Sequence, residues 1–347
     1  MTYHEEEKKE MTLKLRKLLQ ELPPFCYEYF RGIEPTTAER TRLGYAHDLK
    51  IFFQFLLESQ DSLKDKSMRD ITIAHLAALS STDLEMFLDY ISYYDRNGEE
   101  FQNGEKGKAR KLAAIRSMFK YFYRKEQLVS NPASLLSTPK IHDKTIVKLD
   151  VDEIARLLDQ VESGDALTKK QQVYHKANKT RDLALITLLL GTGIRVSECV
   201  GLDMQDVDFE HNGIKVVRKG GNEAVVYFGN EVREALMAYY EERKKILTAD
   251  GHENALFLSM QKRRLTVRSV ENLVGKYSQS VINLKHISPH KLRSSYGTAL
   301  YNETGDIYLV ADVLGHKDVN TTRKHYAQLE DARRREAAKY VHLRRDD

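Results

Sequence analysis

Five residues of this 347-residue chain have the types and the spacing to do chemistry on a phosphate ester. Tyr326 stands ten residues after His316, His290 and Arg293 are three residues apart, and Arg195 lies alone far upstream. An oxygen that attacks a phosphodiester builds negative charge on the non-bridging oxygens, and arginine binds such oxygens with two parallel hydrogen bonds while keeping its proton. The set indicates that a tyrosine of the protein breaks a phosphodiester.

The segment around His290 and Arg293 predicts a helix that presents both side chains near its start. Ser288 suits the N-cap position, Pro289 suits the first turn, and residues three apart share a helical face. Free N–H groups and the helix dipole favour an anion at such an end. A histidine and an arginine at this spacing also occur by chance, so the pair depends on its neighbours for a functional interpretation.

Arg195 follows an apolar run that stops at Gly191-Thr192-Gly193, and this break would deliver its side chain to a cleft. The alternative is a helix end followed by a surface ion pair between Arg195 and Glu198, which would contribute only about 0 to 1 kcal/mol. The local sequence alone leaves both interpretations open.

A lysine and a choice of tyrosines complete the candidate set. Lys219 lies at the tip of a predicted hairpin, where its ammonium could protonate a departing alkoxide, and a solvated turn lysine is the alternative. The neighbouring Arg218 would point to the other side of the hairpin from Lys219. A phenol has an unperturbed pKa of about 10, and nearby cations would ease the loss of its proton. Tyr326 is the predicted nucleophile, and Tyr340 is its rival.

The histidines also allow a metal site, with His286, His290, His316 and His325 as ligands. Pro289 separates the first two from a regular helical pair, and neither an HExxH motif nor a carboxylate cluster accompanies them. The chain also lacks the G-x4-G-K-[ST] pattern of nucleotide-binding loops. We therefore predict neither a metal site nor a cofactor.

The composition is that of a globular protein with two domains. A chain of 347 residues exceeds the size at which one core keeps growing, and 41% hydrophobic with 31% charged residues is ordinary. The N-terminus lacks the order of a secretory signal and the longest apolar run is too short to span a bilayer, so we expect a cytoplasmic location without membrane contact. Cys26 and Cys199 are isolated, which predicts no disulfide and a core position for Cys199.

Apolar residues at helical spacing predict an all-helical first domain and a mainly α second domain with a small antiparallel sheet. The predicted organisation is a helical extension over 1–35, a helical domain over 36–135, a linker over 136–148 and a second domain over 149–347. Two glycines mark the turn between strands 214–217 and 225–228. Tyr296, Tyr301 and Tyr308 are predicted to be core residues of the surrounding helices.

Positive charge is concentrated between residues 104 and 148, which hold 11 lysine and arginine residues against 3 aspartate and glutamate residues. Such clustering suits a polyanion such as DNA. Cations of the predicted helix 107–125 recur away from its apolar stripe. The predicted DNA-contacting residues are Lys108, Lys111, Arg116, Lys120 and Arg124. A solvated charged face is the alternative when this helix is taken alone.

The ordered motifs GTGIRVSE, VVRKGGN, HKLR, VLGH and TTRKHY resemble the tyrosine recombinase/integrase family across the whole second domain. The first domain and the VGKYS stretch at 274–278 are most similar to Xer-type recombinases, particularly the single-protein kind that resolves chromosome dimers. The resemblance implies a SAM-like helical core-binding domain and an α+β catalytic domain that ends in an exchange helix. It also implies a site-specific DNA recombinase that needs no cofactor.

The resemblance implies a role for each matching residue. The catalytic positions are Arg195, Lys219, His290, Arg293, His316 and Tyr326, with Glu198 as the supporting acidic residue. The arginines would hold the scissile phosphate, the histidines would hydrogen-bond it or move protons, and the lysine would protonate the 5′ oxygen while the tyrosine takes the 3′ phosphate. Two positions depart from the family pattern: the tyrosine commonly falls nine residues after the last histidine, where His325 stands, and Ser294 occupies a place where histidine is frequent.

The resemblance also implies partners. The substrate would be double-stranded DNA with inverted half-sites, held in a C-shaped clamp of two domains, and a homotetramer would assemble on two duplexes. The tail 327–347 would dock in a neighbouring protomer or on its own domain, and a DNA translocase would be a further partner. A mobile-element integrase with the same chemistry is the alternative function, and a catalytically silent DNA-binding homologue is the alternative from another class.

Overall fold

The computed structural model of the chain describes residues 2–96, 98–140, 147–218, 220–279, 281, 285–316 and 318–319. The chain divides into two compact units, Met1–Lys144 and Thr145–Asp347, and the boundary falls inside the predicted linker 136–148. Among the described residues, none of the helices is long and apolar enough to cross a bilayer.

The first unit is a helical bundle around an aromatic core. Its elements are α1 (Tyr3–Leu19), α2 (Cys26–Gly32), α3 (Glu39–Ser59), α4 (Ile73–Ala77), α5 (Ser81–Tyr90), β1 (Tyr93–Arg96), β2 (Glu99–Gln102) and α6 (Glu105–Arg124). The apolar stripe of α6 is buried, as its helical spacing predicts, through Leu112, Ile115, Phe119 and Phe122. Residues 1–35, predicted as an extension, form α1 and α2 and contribute Leu22 and Tyr29 to the same core.

The first unit also contains a β-hairpin that the all-helical prediction did not include. Strands β1 and β2 pair in antiparallel fashion with Tyr93 opposite Gln102, and Tyr93 is 74% exposed. Asp95 accepts the Gly98 N–H at 3.0 Å, and Gly98 has a left-handed φ of 79°. Because β2 is exposed along its length, the hairpin lacks the alternating pattern of a half-buried strand. Its signal in the sequence is the Asn97-Gly98 dipeptide, which is typical of tight hairpin turns.

The second unit is mainly α with a small antiparallel sheet, as predicted. Its elements are α7 (Val151–Ser163), α8 (Lys169–Thr192), α9 (Val196–Gly201), β3 (Val207–Asp208), β4 (Gly213–Val217), β5 (Glu223–Tyr227), α10 (Asn230–Arg243), α11 (Val267–Ser278), α12 (Pro289–Thr304) and α13 (Ile307–Leu314). The strand order is β3-β4-β5, with Ile214 opposite Val226. Both of these side chains are buried, so the sheet covers the core with one face.

Helix α8 runs through the second unit and ends beside the candidate site. The Thr168 hydroxyl accepts the Gln171 N–H at its start, and Gly193 ends it with a left-handed φ of 62°. A Cβ at Gly193 would lie only 2.4 Å from the Tyr296 ring. The close approach of α8 and α12 therefore requires glycine at this helix end.

The predictions for three single core residues have different outcomes. Cys199 is fully buried, which confirms its predicted core position, and Tyr301 is buried as well. Tyr308 is 71% exposed, so the prediction of a core role for it was wrong. It belongs to the first turn of α13 and lies off the face on which Val310 and Leu314 pack against Tyr301.

Candidate active site

Arg195 stands at the break between α8 and α9, where the sequence predicted that it would reach a cleft. Its backbone is extended, and its side chain is 33% exposed. Glu198 is 4% exposed and accepts two hydrogen bonds of 2.7 Å from Arg195, one from the backbone N–H and one from the guanidinium. The helix end and the ion pair of the predicted alternative are both present, but the pair is not a surface pair, because the carboxylate is buried and binds both the main chain and the side chain of Arg195.

Arg293 lies in the second turn of α12 and is 5% exposed. It donates to the Gly193 carbonyl oxygen at 2.6 Å and to the Leu314 carbonyl oxygen. Arg195 donates to the Gly315 carbonyl oxygen at 3.1 Å. The two arginines, almost 100 residues apart in the sequence, thus bind neighbouring carbonyl groups at the end of α13.

Arg195 and Arg293 meet at the C-terminal end of α13. Gly315 has a left-handed φ of 63°, and the His316 N–H donates back to the Ala311 carbonyl oxygen at 2.9 Å, so the helix closes with a Schellman-type turn. The last carbonyls of a helix have no partner within it and carry the negative end of the dipole, which suits guanidinium groups. His316 is half-buried directly after this turn.

His290 is exposed at the second residue of α12, and Pro289 begins the helix as predicted. Ser288 occupies the N-cap position, although its side chain makes no capping hydrogen bond. Ser294 is buried, and its hydroxyl donates to the His290 carbonyl oxygen at 3.0 Å. The residue that departs from the family pattern is therefore engaged within α12.

Arg218 is a third arginine at this site, and the sequence analysis did not include it among the candidate residues. Its guanidinium donates to the carbonyl oxygens of Asp312 at 3.2 Å and Val313 at 2.9 Å. A Cβ at Gly315 would lie 2.2 Å from the Arg218 Nη1 atom. The sequence predicted only that Arg218 points to the other side from Lys219, which lies outside the described residues, so this stays a prediction.

Several predicted residues lie outside the described residues. They are Lys219, the predicted nucleophile Tyr326, its rival Tyr340, the conceivable metal ligand His325 and the tail 327–347. The structure does describe the loop ends that flank Lys219. The Arg218 N–H donates to the Asn222 carbonyl oxygen at 2.8 Å, and the Gly221 N–H donates to the Arg218 carbonyl oxygen at 3.0 Å.

The described part of the chain contains no group of three or more His, Cys, Asp or Glu side chains that could hold a metal ion. Of the histidines considered as ligands, His286 lies in the loop before α12, His290 in its first turn and His316 after α13. The observed contacts of the candidate site are those between arginine side chains and main-chain carbonyl oxygens.

The cations predicted to contact DNA on α6 fall into two groups. Lys111 is 4% exposed and donates to Asn103 Oδ1 at 2.7 Å, and Arg116 binds the Ala133 and Leu136 carbonyl oxygens and the Thr138 hydroxyl. These two residues are engaged inside the unit. Three remain toward solvent: Lys108, which is half-buried and 3.7 Å from Glu105, and the exposed Lys120 and Arg124.

A buried polar cluster supports α8 from the side of α11. Asp182 is 1% exposed and accepts hydrogen bonds from Arg181 at 2.6 Å, from the Tyr277 hydroxyl at 2.8 Å and from Lys276 at 3.2 Å. His175 Nδ1 lies 3.1 Å from the same hydroxyl. Burial and the neighbouring carboxylate raise the pKa of Tyr277, and burial lowers the pKa of Lys276 and of His175. The cluster fixes α8 and α11 to each other.

The phage integrase family model matches residues 148–333 of the chain. A tyrosine recombinase XerC of Caldanaerobacter subterraneus subsp. tengcongensis is 31% identical over 323 residues, which cover 91% of this chain and 86% of the relative. A tyrosine recombinase XerS of Streptococcus equi subsp. zooepidemicus is 29% identical over 335 residues, which cover 89% of this chain and 93% of the relative.

Two solved structures share the fold. The XerH site-specific recombinase bound to a palindromic difH substrate, a post-cleavage complex, has a TM-score of 0.62 at 20% identity and covers 87% of this chain and 80% of its own. The Tn1549 transposon integrase in complex with transposon right end DNA has a TM-score of 0.63 at 19% identity and covers 89% of this chain and 98% of its own.

Proposed function

Because the chain belongs to the phage integrase family and is a tyrosine-type site-specific recombinase, we propose that it cuts, exchanges and rejoins DNA strands to resolve chromosome dimers. The observation that supports this most is the convergence of Arg195 and Arg293 on neighbouring carbonyls at the end of α13. A phosphate needs fixed cations on more than one side while charge develops on its oxygens. Elements far apart in the sequence supply them here.

The proposed reaction is a transesterification. The Tyr326 oxygen attacks the scissile phosphorus, the bond from phosphorus to the 5′ oxygen breaks, and a 3′-phosphotyrosyl bond forms. Lys219 gives a proton to the leaving 5′ oxygen, and His290 or His316 takes the phenol proton or hydrogen-bonds the phosphate. Attack by a 5′ hydroxyl of another strand reverses the step and rejoins the DNA. Because one ester replaces another, no nucleotide hydrolysis is required.

In this proposal Glu198 positions Arg195 and does not itself contact the DNA. Its two hydrogen bonds fix the guanidinium before the substrate arrives, so binding does not have to order it. Arg195 is the more accessible of the two arginines, and Arg293 is almost buried behind the helix end. Arg195 would therefore make the more direct contact with the phosphate.

The proposed substrate is double-stranded DNA with inverted half-sites, on which protomers assemble into a homotetramer and exchange the tail 327–347. The similarity to proteins named XerC and XerS, and to a XerH complex with difH DNA, supports a chromosomal site of this kind. Action on chromosomal DNA would place the protein in the cytoplasm, where we propose a DNA translocase as a further partner. Of the α6 cations predicted to contact DNA, Lys108, Lys120 and Arg124 are the ones that the fold leaves available to phosphates.

A nicked suicide substrate tests the chemistry. The parent protein should give a covalent protein–DNA band on a denaturing gel, because loss of the short strand past the nick prevents religation. Tyr326→Phe should bind the same DNA and give no band, whereas Tyr340→Phe should give the parental band. A band from Tyr326→Phe would disprove the nucleophile, and no band from the parent would favour the catalytically silent DNA-binding protein.

A mobile-element integrase with the same chemistry is the second candidate, and the fold shared with the Tn1549 transposon integrase favours it. The two functions differ in substrate and not in mechanism. Cleavage assays with a symmetrical chromosomal dimer-resolution site and with transposon ends, at equal concentrations, should show preference for the chromosomal site. A preference for the transposon ends would support the integrase.

A further inference from the structure

Arg218 joins the hairpin of β4 and β5 to the end of α13. Its backbone closes the loop, because its N–H donates to the Asn222 carbonyl oxygen and its own carbonyl accepts the Gly221 N–H. Its side chain binds two successive carbonyl oxygens, of Asp312 and Val313, more than 90 residues away in the sequence. The same residue thus fixes the shape of the loop and the distance from the loop to the helix end.

Three features make this contact specific. The planar guanidinium can serve two neighbouring carbonyls at once, which an ammonium on a flexible chain does less well. The carbonyls at a helix C-terminus carry the negative end of the dipole and attract cations, and the Asp312 carbonyl oxygen accepts from Arg218 in addition to the Gly315 N–H. The absence of a side chain at Gly315 leaves room for the guanidinium, since a Cβ there would lie 2.2 Å from Nη1.

We propose that Arg218 is a positioning residue that fastens the β4–β5 hairpin to the C-terminal end of α13 and thereby sets where the general acid stands relative to Arg195 and Arg293. The inference rests on the proposed function, in which the next residue of the chain, Lys219, protonates the leaving 5′ oxygen. Arg218 itself does not touch the reacting atoms. Removal of the Arg218 side chain should therefore slow the proton transfer to the leaving oxygen. Binding of the phosphate by Arg195 and Arg293 should not change.

The test compares two suicide substrates that differ in one atom. In one, the bridging 5′ atom at the scissile phosphate is oxygen, and in the other it is sulfur, which leaves as a thiolate without needing a proton. Arg218→Ala should slow formation of the covalent adduct by about 10- to 100-fold with oxygen and by less than about threefold with sulfur. DNA affinity should stay within about threefold of the parent, because no phosphate contact is removed.

Two further variants separate the loss of a positive charge on the hairpin from the loss of the forked guanidinium contact. Lys215→Ala removes an exposed cation from the same hairpin, where Lys215 pairs with Glu223 at 3.4 Å, and should change neither rate. Arg218→Lys keeps the charge and should recover only part of the oxygen rate, because one ammonium replaces a forked donor. An equal loss with both substrates, or no loss with either, would overturn the inference.

Failure of the proposed function gives a different pattern. If the parent forms no adduct, or if Lys219→Ala is not rescued by sulfur, the cleavage mechanism or the general acid is wrong. Hydrogen exchange then still tests the role of Arg218. Arg218→Ala should speed amide exchange at Gly221 and His316 with parental rates elsewhere in β4 and α12, and unchanged exchange at Gly221 and His316 would refute the coupling.

Discussion

The substitution Glu198→Ala should lower both the free energy of unfolding of the second unit and the rate of DNA cleavage. The Glu198 carboxylate is almost fully buried and accepts the backbone N–H and the guanidinium of Arg195 at 2.7 Å each. Truncation removes both acceptors and leaves a cationic side chain without its counter-charge. The backbone N–H loses its partner at the start of α9, and the guanidinium is no longer held toward Gly315.

The size of the effect follows from these two hydrogen bonds. A hydrogen bond to a charged group contributes about 1.5 to 3 kcal/mol, and the value for the guanidinium must be reduced because water reaches its exposed third. The free energy of unfolding should therefore fall by about 2 to 4 kcal/mol. For a unit of roughly 200 residues this lowers the melting temperature by about 5 to 15 °C. Glu198→Gln keeps one acceptor oxygen and should lose about half as much.

Thermal unfolding of the full chain, followed by circular dichroism and calorimetry, measures this change. The chain has two compact units, so only the transition of Thr145–Asp347 should move. Glu223→Ala is the matched control, because its exposed pair with Lys215 contributes about 0 to 1 kcal/mol. Adduct formation on the suicide substrate should fall for Glu198→Ala at a temperature where the variant is folded. Parental stability and a parental cleavage rate would refute the reasoning.

Three other changes have defined outcomes. Asp182→Asn should lower the free energy of unfolding by about 3 kcal/mol in urea titrations, because it leaves the half-buried Lys276 and the buried Tyr277 hydroxyl without their carboxylate, and an unchanged midpoint would contradict this. Burial raises the pKa of Asp48 to about 6 from 3.8, so the folded state favours the protonated form and the unfolding free energy of the first unit should fall as pH rises from about 4 through 6. Asp48→Asn should remove this part of the pH dependence in the same titrations, by about 2 to 3 kcal/mol, and identical pH profiles would count against it. Replacing Lys120 and Arg124 by Ala should make the slope of log affinity against log salt less negative by about 2, if each binds one phosphate, and a parental slope would exclude both contacts.

Much of the fold follows from the sequence because helical periodicity is a strong local signal. The ends of α6 and the strand pair β4–β5 lie within a few residues of the predicted bounds, and α8 ends at the predicted break. The apolar run before that break indicates only the last turns of α8, because the helix begins at Lys169 with polar turns that carry no apolar stripe. Strand β2 was missed for the same reason, since a pattern of burial cannot reveal a strand whose residues are all exposed.

The candidate site was predictable in its residue types and only partly in its contacts. The break at Gly193 and the spacing of His290 and Arg293 indicated the positions of the two arginines. The contact of Arg218 with α13 was not predictable, because it depends on how a loop meets a helix end 94 residues away. The interior position of Lys111 was missed in the same way, since a helical wheel does not show that Asp48 lies across from it, 4.0 Å away.

Among the described residues, Arg195, Arg218 and Arg293 donate to main-chain carbonyl oxygens at the end of α13, those of Asp312, Val313, Leu314 and Gly315. Every amino acid has such an oxygen, so no single substitution at these acceptor positions can delete it. The arrangement is thus tolerant of changes in side-chain chemistry and sensitive to changes in backbone path. Different residues before the final glycine can therefore keep the same acceptors for the three arginines, while a shift of one residue in the helix end would displace them.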